Sequence, residues 1–308
     1  KRIWRIIVEK RDFWRVFVKK TIIFIFTLFF IGGVVFLLLE YSKPKSITKP
    51  IDQVVVSILN VGQGDAILIE GSEKTILVDT GPPAGKASLM DELKKRNIKK
   101  IDILLLTHSH ADHIGNAAEV IENYDVREVI ESKFPSTSPY VKKYYLAMEK
   151  KKIPLRHNRL GESVEVGKGA RLIFLTPIPE FDASKSINNQ SIVTKLVYGK
   201  MSVLLTGDIE KDLENGLVKY YDGTTELGSE ILKSPHHGSK TSSSARFISA
   251  VNSKIALISL KSNNDFGHPH QLVLERYEKH KMKVYQTNLN GTIRILLGKE
   301  SYQISTEF

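Results

Sequence analysis

Residues 105 to 116 read LLTHSHADHIGN, placing His108, His110, Asp112 and His113 within six positions at the end of an apolar run. Imidazole and carboxylate are ligands for divalent metals, and the chain has no cysteine, so any metal is held by histidine and aspartate. On extended backbone, residues i and i+2 point the same way. His108 and His110 can therefore chelate one ion, while Asp112 and His113 reach a second nearby. A lone histidine is more often a solvated side chain. Four ligand-type residues crowded at a strand end are poorly explained that way.

Other chemistry-bearing residues follow the same placement. Asp79 in LVDTG and Asp208 in VLLTGD each end an apolar run beside a glycine, and KSPHHGS at 233–239 supplies His236 and His237. Taken singly, an aspartate before a glycine is a common turn and a histidine pair a surface loop. Ser239, Thr241, Ser242 and Ser243 form a hydroxyl-rich loop before SSSARFISA, a helix start suited to phosphate or, equally, to ordinary capping. His268 and His270 flank Pro269; His268 is read as a phosphate or leaving-group contact and His270 as an exposed helix cap. Asp65 in GQGDA is placed near the site, with Gly62 and Gly64 serving turn geometry.

The elements that position these residues are short β-branched runs between turn residues, interleaved with helical spacings. Strands are expected at 54–59, 66–70, 75–79, 101–107, 171–175, 191–198, 201–206, 229–233, 255–259, 283–286 and 291–296. Helices are expected at 87–96, 113–124, 140–151, 211–221, 243–251 and 271–280. The mixture predicts an α+β domain of sheets covered by helices.

The H-x-H-x-D-H pattern, with Asp79, Asp208 and the His236–His237 pair following in order, resembles the metallo-β-lactamase superfamily. That resemblance implies an αββα sandwich holding one or two ions, Zn²⁺ or Mn²⁺. It implies His108, His110 and Asp208 around the first ion, and Asp112, His113, Asp208 and His237 around the second, with His236 as the alternative. Asp79 would support the metal loop, and Asp112 is the candidate general base. A narrower resemblance lies in LNVGQGDAILI at 59–69, LLTGDIE at 204–210, PHHGSKTSS at 235–243 and NDFGHPH at 264–270. These motifs are similar to the metallo-β-lactamase-like domain of the ComEC/Rec2 competence proteins, over nearly all of residues 54–297. The superfamily usually has another histidine before the bridging aspartate, yet only His157 lies between His113 and Asp208. SINNQS at 186–191 offers Asn188 and Asn189 instead, as the narrower family does, leaving the first ion with a weak ligand.

Residues 21–39, TIIFIFTLFFIGGVVFLLL, carry no charge and are about long enough to span a bilayer core. Trp4, Trp14 and Tyr41 flank them at belt-like positions. A transmembrane helix is expected there, preceded by a basic cytoplasmic segment over 1–20 and followed by an extended linker over 40–50. The hydrolase domain over 51–308 would then face outward from the bacterial cytoplasmic membrane. The chain opens on Lys rather than Met, which leaves room for upstream spans that would set the orientation differently.

The net charge of +11 sits mostly in that N-terminal region: residues 51–308 carry 34 Lys and Arg against 31 Asp and Glu. Charge alone therefore does not identify a nucleic-acid groove. The resemblance implies a phosphodiesterase or nuclease acting on single- or double-stranded DNA, with competence channel components as partners. Asp112, Asp79 and His268 are the expected catalytic residues, and Ser239, Ser242 and Asn188 the expected substrate contacts. Rival expectations are a phosphodiesterase for a cell-wall or choline-bearing polymer, a β-lactamase, and a non-catalytic DNA-handling module.

Overall fold

The computed structural model describes residues 53–308 together with Gly32 and Gly33. Apart from those two glycines, the basic segment, transmembrane helix and linker expected over 1–50 lie outside the described residues. Among the described residues, no helix is long and apolar enough to cross a membrane.

The first half of the domain contains β1 (Val54–Ile58), β2 (Ile67–Glu70), β3 (Thr75–Val78), α1 (Lys86–Lys95), β4 (Lys100–Ile101) and β5 (Ile103–Leu106). It continues with α2 (Ala111–Ile114), α3 (Ala117–Asn123), β6 (Asp125–Val126), β7 (Val129–Glu131), α4 (Pro139–Lys151) and β8 (Leu155–His157). The second half contains β9 (Ser163–Gly167), β10 (Ala170–Phe174), β11 (Thr194–Tyr198), β12 (Met201–Leu205), α5 (Lys211–Tyr220) and β13 (Ile231–Lys233). It ends with α6 (Ala245–Val251), β14 (Ile255–Ile258), α7 (Gln271–Lys279), β15 (Lys283–Gln286), α8 (Thr287–Asn290), β16 (Ile293–Leu297) and β17 (Tyr302–Thr306).

Two large sheets form, in the orders β17, β16, β1, β2, β3, β5, β7, β8 and β15, β14, β13, β12, β11, β10, β9. Their central strands are continuous apolar runs because both faces are buried. Ile103 and Leu105 of β5 join Ile76 and Val78 in the core between the sheets, with Val203, Leu205 and Leu257 from the second sheet. Leu104, Leu106 and Leu77 point the other way, into the layer under α1, α3 and α4. Leu204, Leu232, Ala256 and Ile258 likewise meet Leu213, Phe247 and Tyr277 of α5, α6 and α7. The order of layers is helix, sheet, sheet, helix, the αββα sandwich expected. Truncating a fully buried core residue such as Leu105 to alanine costs about 2–5 kcal/mol.

Within each sheet, the strands bearing the candidate residues run parallel: β3 with β5, β12 with β13, and β13 with β14. Their carboxyl ends therefore open into loops on one edge, where open parallel sheets usually bind ligands.

The helix expected over 113–124 is two helices, broken at Gly115 and Asn116. Asn116 Nδ2 donates to the carbonyls of Thr80 (2.9 Å) and Pro82 (2.7 Å), drawing the chain off the helical path. A Cβ at Gly115 would lie 2.5 Å from Pro83 Cδ. The strand expected from 191 begins at Thr194, because Ile192 N–H donates to the Thr107 carbonyl (3.0 Å) and Ser191 serves the site. His157 is an exposed residue of edge strand β8.

Candidate metal centre

Asp79 leaves β3 in the left-handed conformation, at φ 58°. Its strain is offset by three bonds: Thr107 N–H donates to Oδ1 (2.8 Å), and Thr107 Oγ1–H and His113 Nδ1–H donate to Oδ2 (both 2.7 Å). Asp79 thus ties the end of β3 to the end of β5 and to α2. Expected among the catalytic residues, it is a positioning group here: it is fully buried and both oxygens are engaged.

The bond to Asp79 commits His113 Nδ1 and turns Nε2 inward, 3.2 Å from Asp208 Oδ2. His237 is set by the same logic. Its Nδ1 lies 2.9 Å from the carbonyl of Ser259, which can only accept, so Nδ1 carries a proton and Nε2 is the nitrogen turned to the centre. His237 Nε2 lies 3.4 Å from Asp208 Oδ2 and 3.5 Å from Asp112 Oδ2. The loop carrying it is strained, with His236 and His237 at φ 48° and 52°. Gly64 holds Asp112 from the opposite side: at φ 145°, a Cβ there would lie 2.1 Å from the Asp112 carbonyl oxygen. Asp65 N–H donates to that same carbonyl (3.2 Å).

Asp112, His113, Asp208 and His237 bring one ligand atom each to within 4.8 Å of one another. His113 Nε2, His237 Nε2 and Asp208 Oδ1 are buried with no hydrogen-bond partner among the described residues. Buried polar atoms are normally paired. Three orphans in a mixed nitrogen and oxygen set fit a divalent cation. Asp65, Asp79 and His113 also cluster. There, however, Lys233 Nζ lies 2.9 Å from Asp65 Oδ2, so the protein supplies its own cation.

Residues expected around the first ion lie near the same Asp208 carboxylate. His108 Nε2 is 3.1 Å from His110 Nδ1 and 4.0 Å from Asp208 Oδ2, while His236 Nε2 is 3.9 Å from the same oxygen. His108 Nδ1 is 3.1 Å from Thr107 Oγ1 and 3.2 Å from Ser191 Oγ, which also accepts the Asp208 N–H (3.1 Å). Asn188 Oδ1 is another buried atom without a hydrogen-bond partner among the described residues, whereas Asn189 Oδ1 accepts from Glu210 N–H (2.8 Å).

The electrostatics follow from burial and neighbours. Burial, reinforced by His113, pulls His108 well below the usual histidine range, leaving it in the neutral form that ligates. Burial opposes charge on His113 and His237 too. Asp208 and Asp79 outweigh it at His113, which lies well above its ordinary value. Asp208, Asp112 and Asp65 do so at His237, pushed up to about 10. Against their own burial, Asp112 and Asp208 are held below the carboxylate range by these histidines. Without a metal, the centre keeps protons where a cation would sit.

The serines expected to contact substrate are engaged within the protein. Ser242 is buried and donates to the Ile209 carbonyl (2.8 Å), and Ser239 is buried with its Oγ 3.0 Å from Thr241 Oγ1. The start of α6 is already filled by Glu214, whose carboxylate accepts from Ser243 N–H and from Ser244 N–H (2.8 Å). His268 stays at the centre, its ring 5.6 Å from that of His236. Gln63 Nε2, a donor only, lies 3.4 Å from His268 Nδ1, which places the proton on Nε2. His270, expected as an exposed cap, is half-buried at the start of α7 and accepts the Lys240 N–H (3.2 Å). Lys233, Thr107, Ser191 and Gln63 carried no functional assignment in the sequence. Lys233 leaves little signal there, since only Ile231 and Leu232 separate it from Glu230.

A model of the metallo-β-lactamase superfamily matches residues 59–262. The chain is 31% identical over 257 residues to ComE operon protein 3 of Bacillus subtilis, covering 78% of this chain and 32% of that protein. It is 28% identical over 260 residues to competence protein ComA of Neisseria gonorrhoeae, covering 83% and 34%. Recombination protein 2 of Haemophilus influenzae is 30% identical over 278 residues, covering 88% and 32%. The chain thus spans about a third of the length of these relatives. Among solved structures, the metallo-β-lactamase fold protein YhfI of Bacillus subtilis superposes with a TM-score of 0.52 at 12% identity, covering 82% of this chain and 100% of that one. Igni18, a metallo hydrolase of Ignicoccus hospitalis, gives 0.51 at 17% identity, covering 78% and 98%. The matched residues run from the end of β1 past Ser259, taking in both halves of the ligand cluster, and on that match the chain belongs to the metallo-β-lactamase superfamily.

Proposed function

We propose that the domain hydrolyses phosphodiester bonds of DNA outside the bacterial cytoplasmic membrane, as part of competence-type uptake. The observation that carries the hydrolytic part is the set of buried, unpartnered ligand atoms on His113, His237 and Asp208. The similarity to proteins named for competence and recombination supports DNA as substrate.

In this reading Asp112, His113, Asp208 and His237 hold one Zn²⁺ or Mn²⁺. His108, His110 and Asp208, with Asn188 in place of a histidine, hold a weaker second ion. A bound divalent ion supplies Lewis acidity toward a phosphoryl oxygen and brings the pKa of water toward ~7. The protein's own groups do the rest. Asp79 and the Ser259 carbonyl fix the two imidazoles, so that Nε2 of each faces the centre. The Asp112 side chain is 31% exposed against 2% for Asp208, so Asp112 is the carboxylate placed to take a proton from outside. Burial and the neighbouring histidines pull His268 down to about 4, so it is neutral at pH 7. It offers its Nε2–H to a phosphate oxygen or leaving group.

The near-neutral charge of residues 51–308 favours a second reading, a phosphodiesterase for a cell-wall or choline-bearing polymer. The chain, stripped with chelator and given Mn²⁺ or Zn²⁺, separates the two when incubated with labelled single-stranded DNA beside Asp208→Ala. Metal-dependent cleavage lost in the variant is the expected result. Metal binding without cleavage would turn the assignment to another phosphodiester, or to a DNA-handling module without catalysis.

A further inference from the structure

The loop KSNNDFGHPH, residues 261–270, is organised by one side chain. Asn264 Oδ1 accepts the N–H groups of Phe266 (3.2 Å) and His268 (2.9 Å), and Asn264 Nδ2 donates to the carbonyls of His268 (2.7 Å) and Lys261 (3.0 Å). A loop pinned at four points presents its residues in one arrangement. It presents Phe266 to water, with 61% of the residue exposed. An aromatic side chain held out like this forgoes the burial that normally stabilises it.

Phe266 is not isolated. Its ring stacks on His268 with centroids 5.5 Å apart and planes 24° from parallel. His268 in turn lies 6.4 Å from His237 at 30°. The three rings step outward from the buried ligand cluster to solvent, with Phe266 as the outermost. Exposed Lys240 and Lys261 flank this edge: Lys240 N–H bonds His270, and Lys261 N–H bonds Gln63, which also touches His268. Asp265 is the one acidic residue of the loop.

We propose that Phe266 is a stacking platform for an unpaired nucleobase of single-stranded nucleic acid. This rests on the phosphodiesterase reading and adds how the substrate is gripped. An occupant of this edge needs a flat π-face for Phe266 and an anionic group close by for the lysines and the metal centre. A nucleotide joins those two features through one sugar. Base stacking on an aromatic side chain is also tolerant of sequence, which suits a domain whose weak positive charge gives little other hold.

The test uses the full chain, with metal removed by chelator so that binding is read without turnover. A labelled oligodeoxynucleotide and its abasic counterpart are titrated against wild type, Phe266→Ala and Phe266→Trp, following anisotropy. Phe266→Ala is expected to weaken binding by roughly tenfold to a hundredfold, and Phe266→Trp to retain it. The abasic strand should bind wild type as weakly as the normal strand binds Phe266→Ala. A 2-aminopurine base should be quenched by wild type and not by Phe266→Ala. With Mn²⁺ added, KM should rise in Phe266→Ala while kcat holds. Equal affinity of wild type and Phe266→Ala for both strands would overturn the platform, even where wild type still cleaves DNA. If wild type cleaves nothing while the binding and quenching differences remain, the platform stands and the hydrolytic reading falls.

Discussion

Replacing Lys233 by methionine removes the cation closest to Asp65 among the described residues while keeping most of the side chain's length. Lys233 Nζ lies 2.9 Å from Asp65 Oδ2, and the two side chains are 0% and 2% exposed. Asp65 Oδ1 also takes the Ser259 hydroxyl and lies 3.4 Å from His237 Nδ1. Lys233 has a second bond, to the Ser234 carbonyl (3.0 Å). Breaking a buried pair from one side leaves an uncompensated charge and costs about 3–5 kcal/mol. At about 2–4 °C per kcal/mol for a domain of this size, the melting temperature of the chelated protein should fall by roughly 6–20 °C. Lys233→Met/Asp65→Asn, which removes both charges, should recover most of that loss. Only the double variant removes the anionic support behind His237, so metal affinity should fall at least about tenfold in the double variant and not in the single one. Thermal unfolding in chelator and calorimetric metal titration separate the two effects. A single variant within about 1 kcal/mol of wild type, or a double variant no better than the single, would refute the reasoning.

Asp79→Asn should fold yet bind metal about 10–100-fold more weakly, because His113 loses the carboxylate that fixes its tautomer; unchanged affinity by calorimetry would count against that role. In metal-free protein His237 titrates at about 10 against 6.5 for an ordinary histidine, so its stabilisation is complete below about 6.5 and is lost as pH rises through 10. The urea midpoint of chelated protein should therefore fall from pH 7 to pH 10, and a flat profile would contradict this. Metal binding needs neutral imidazoles, so it should tighten over the same interval and release protons, seen as a buffer-dependent binding enthalpy. Asn188→His should raise metal stoichiometry or affinity at the His108 and His110 side, and a titration identical to wild type would remove Asn188 from that role.

The residues that proved legible in the sequence are those whose neighbours in space are neighbours in the chain. His108, His110, Asp112 and His113 sit within six positions, and the end of an apolar run placed them at a strand terminus without further information. Continuous runs such as ILLL showed strands buried on both faces for the same local reason. Lys233 and Asp65 pair across 168 residues, and nothing local links them. The partners of the Ser239 and Ser242 hydroxyls, Thr241 Oγ1 and the Ile209 carbonyl, are not legible locally because they depend on how the loop folds back. Strands β7 and β8 are three residues each, too short for periodicity to register, and β17 is a largely polar edge strand. The break at Gly115 and Asn116 was hidden because its cause is the Thr80–Pro82 backbone, more than thirty residues upstream.

Asp112 and His113 hang from the strands of one sheet, and Asp208 and His237 from those of the other. The four ligand atoms therefore converge only while the two sheets keep a single stagger. A slip of one residue along a strand, about 3.3 Å, is as large as the separations within the cluster. A bound ion would act as a clasp across the sandwich, making metal occupancy a gauge of how the two sheets are registered. Core substitutions far from the centre that let one sheet slide should then loosen metal without touching a ligand.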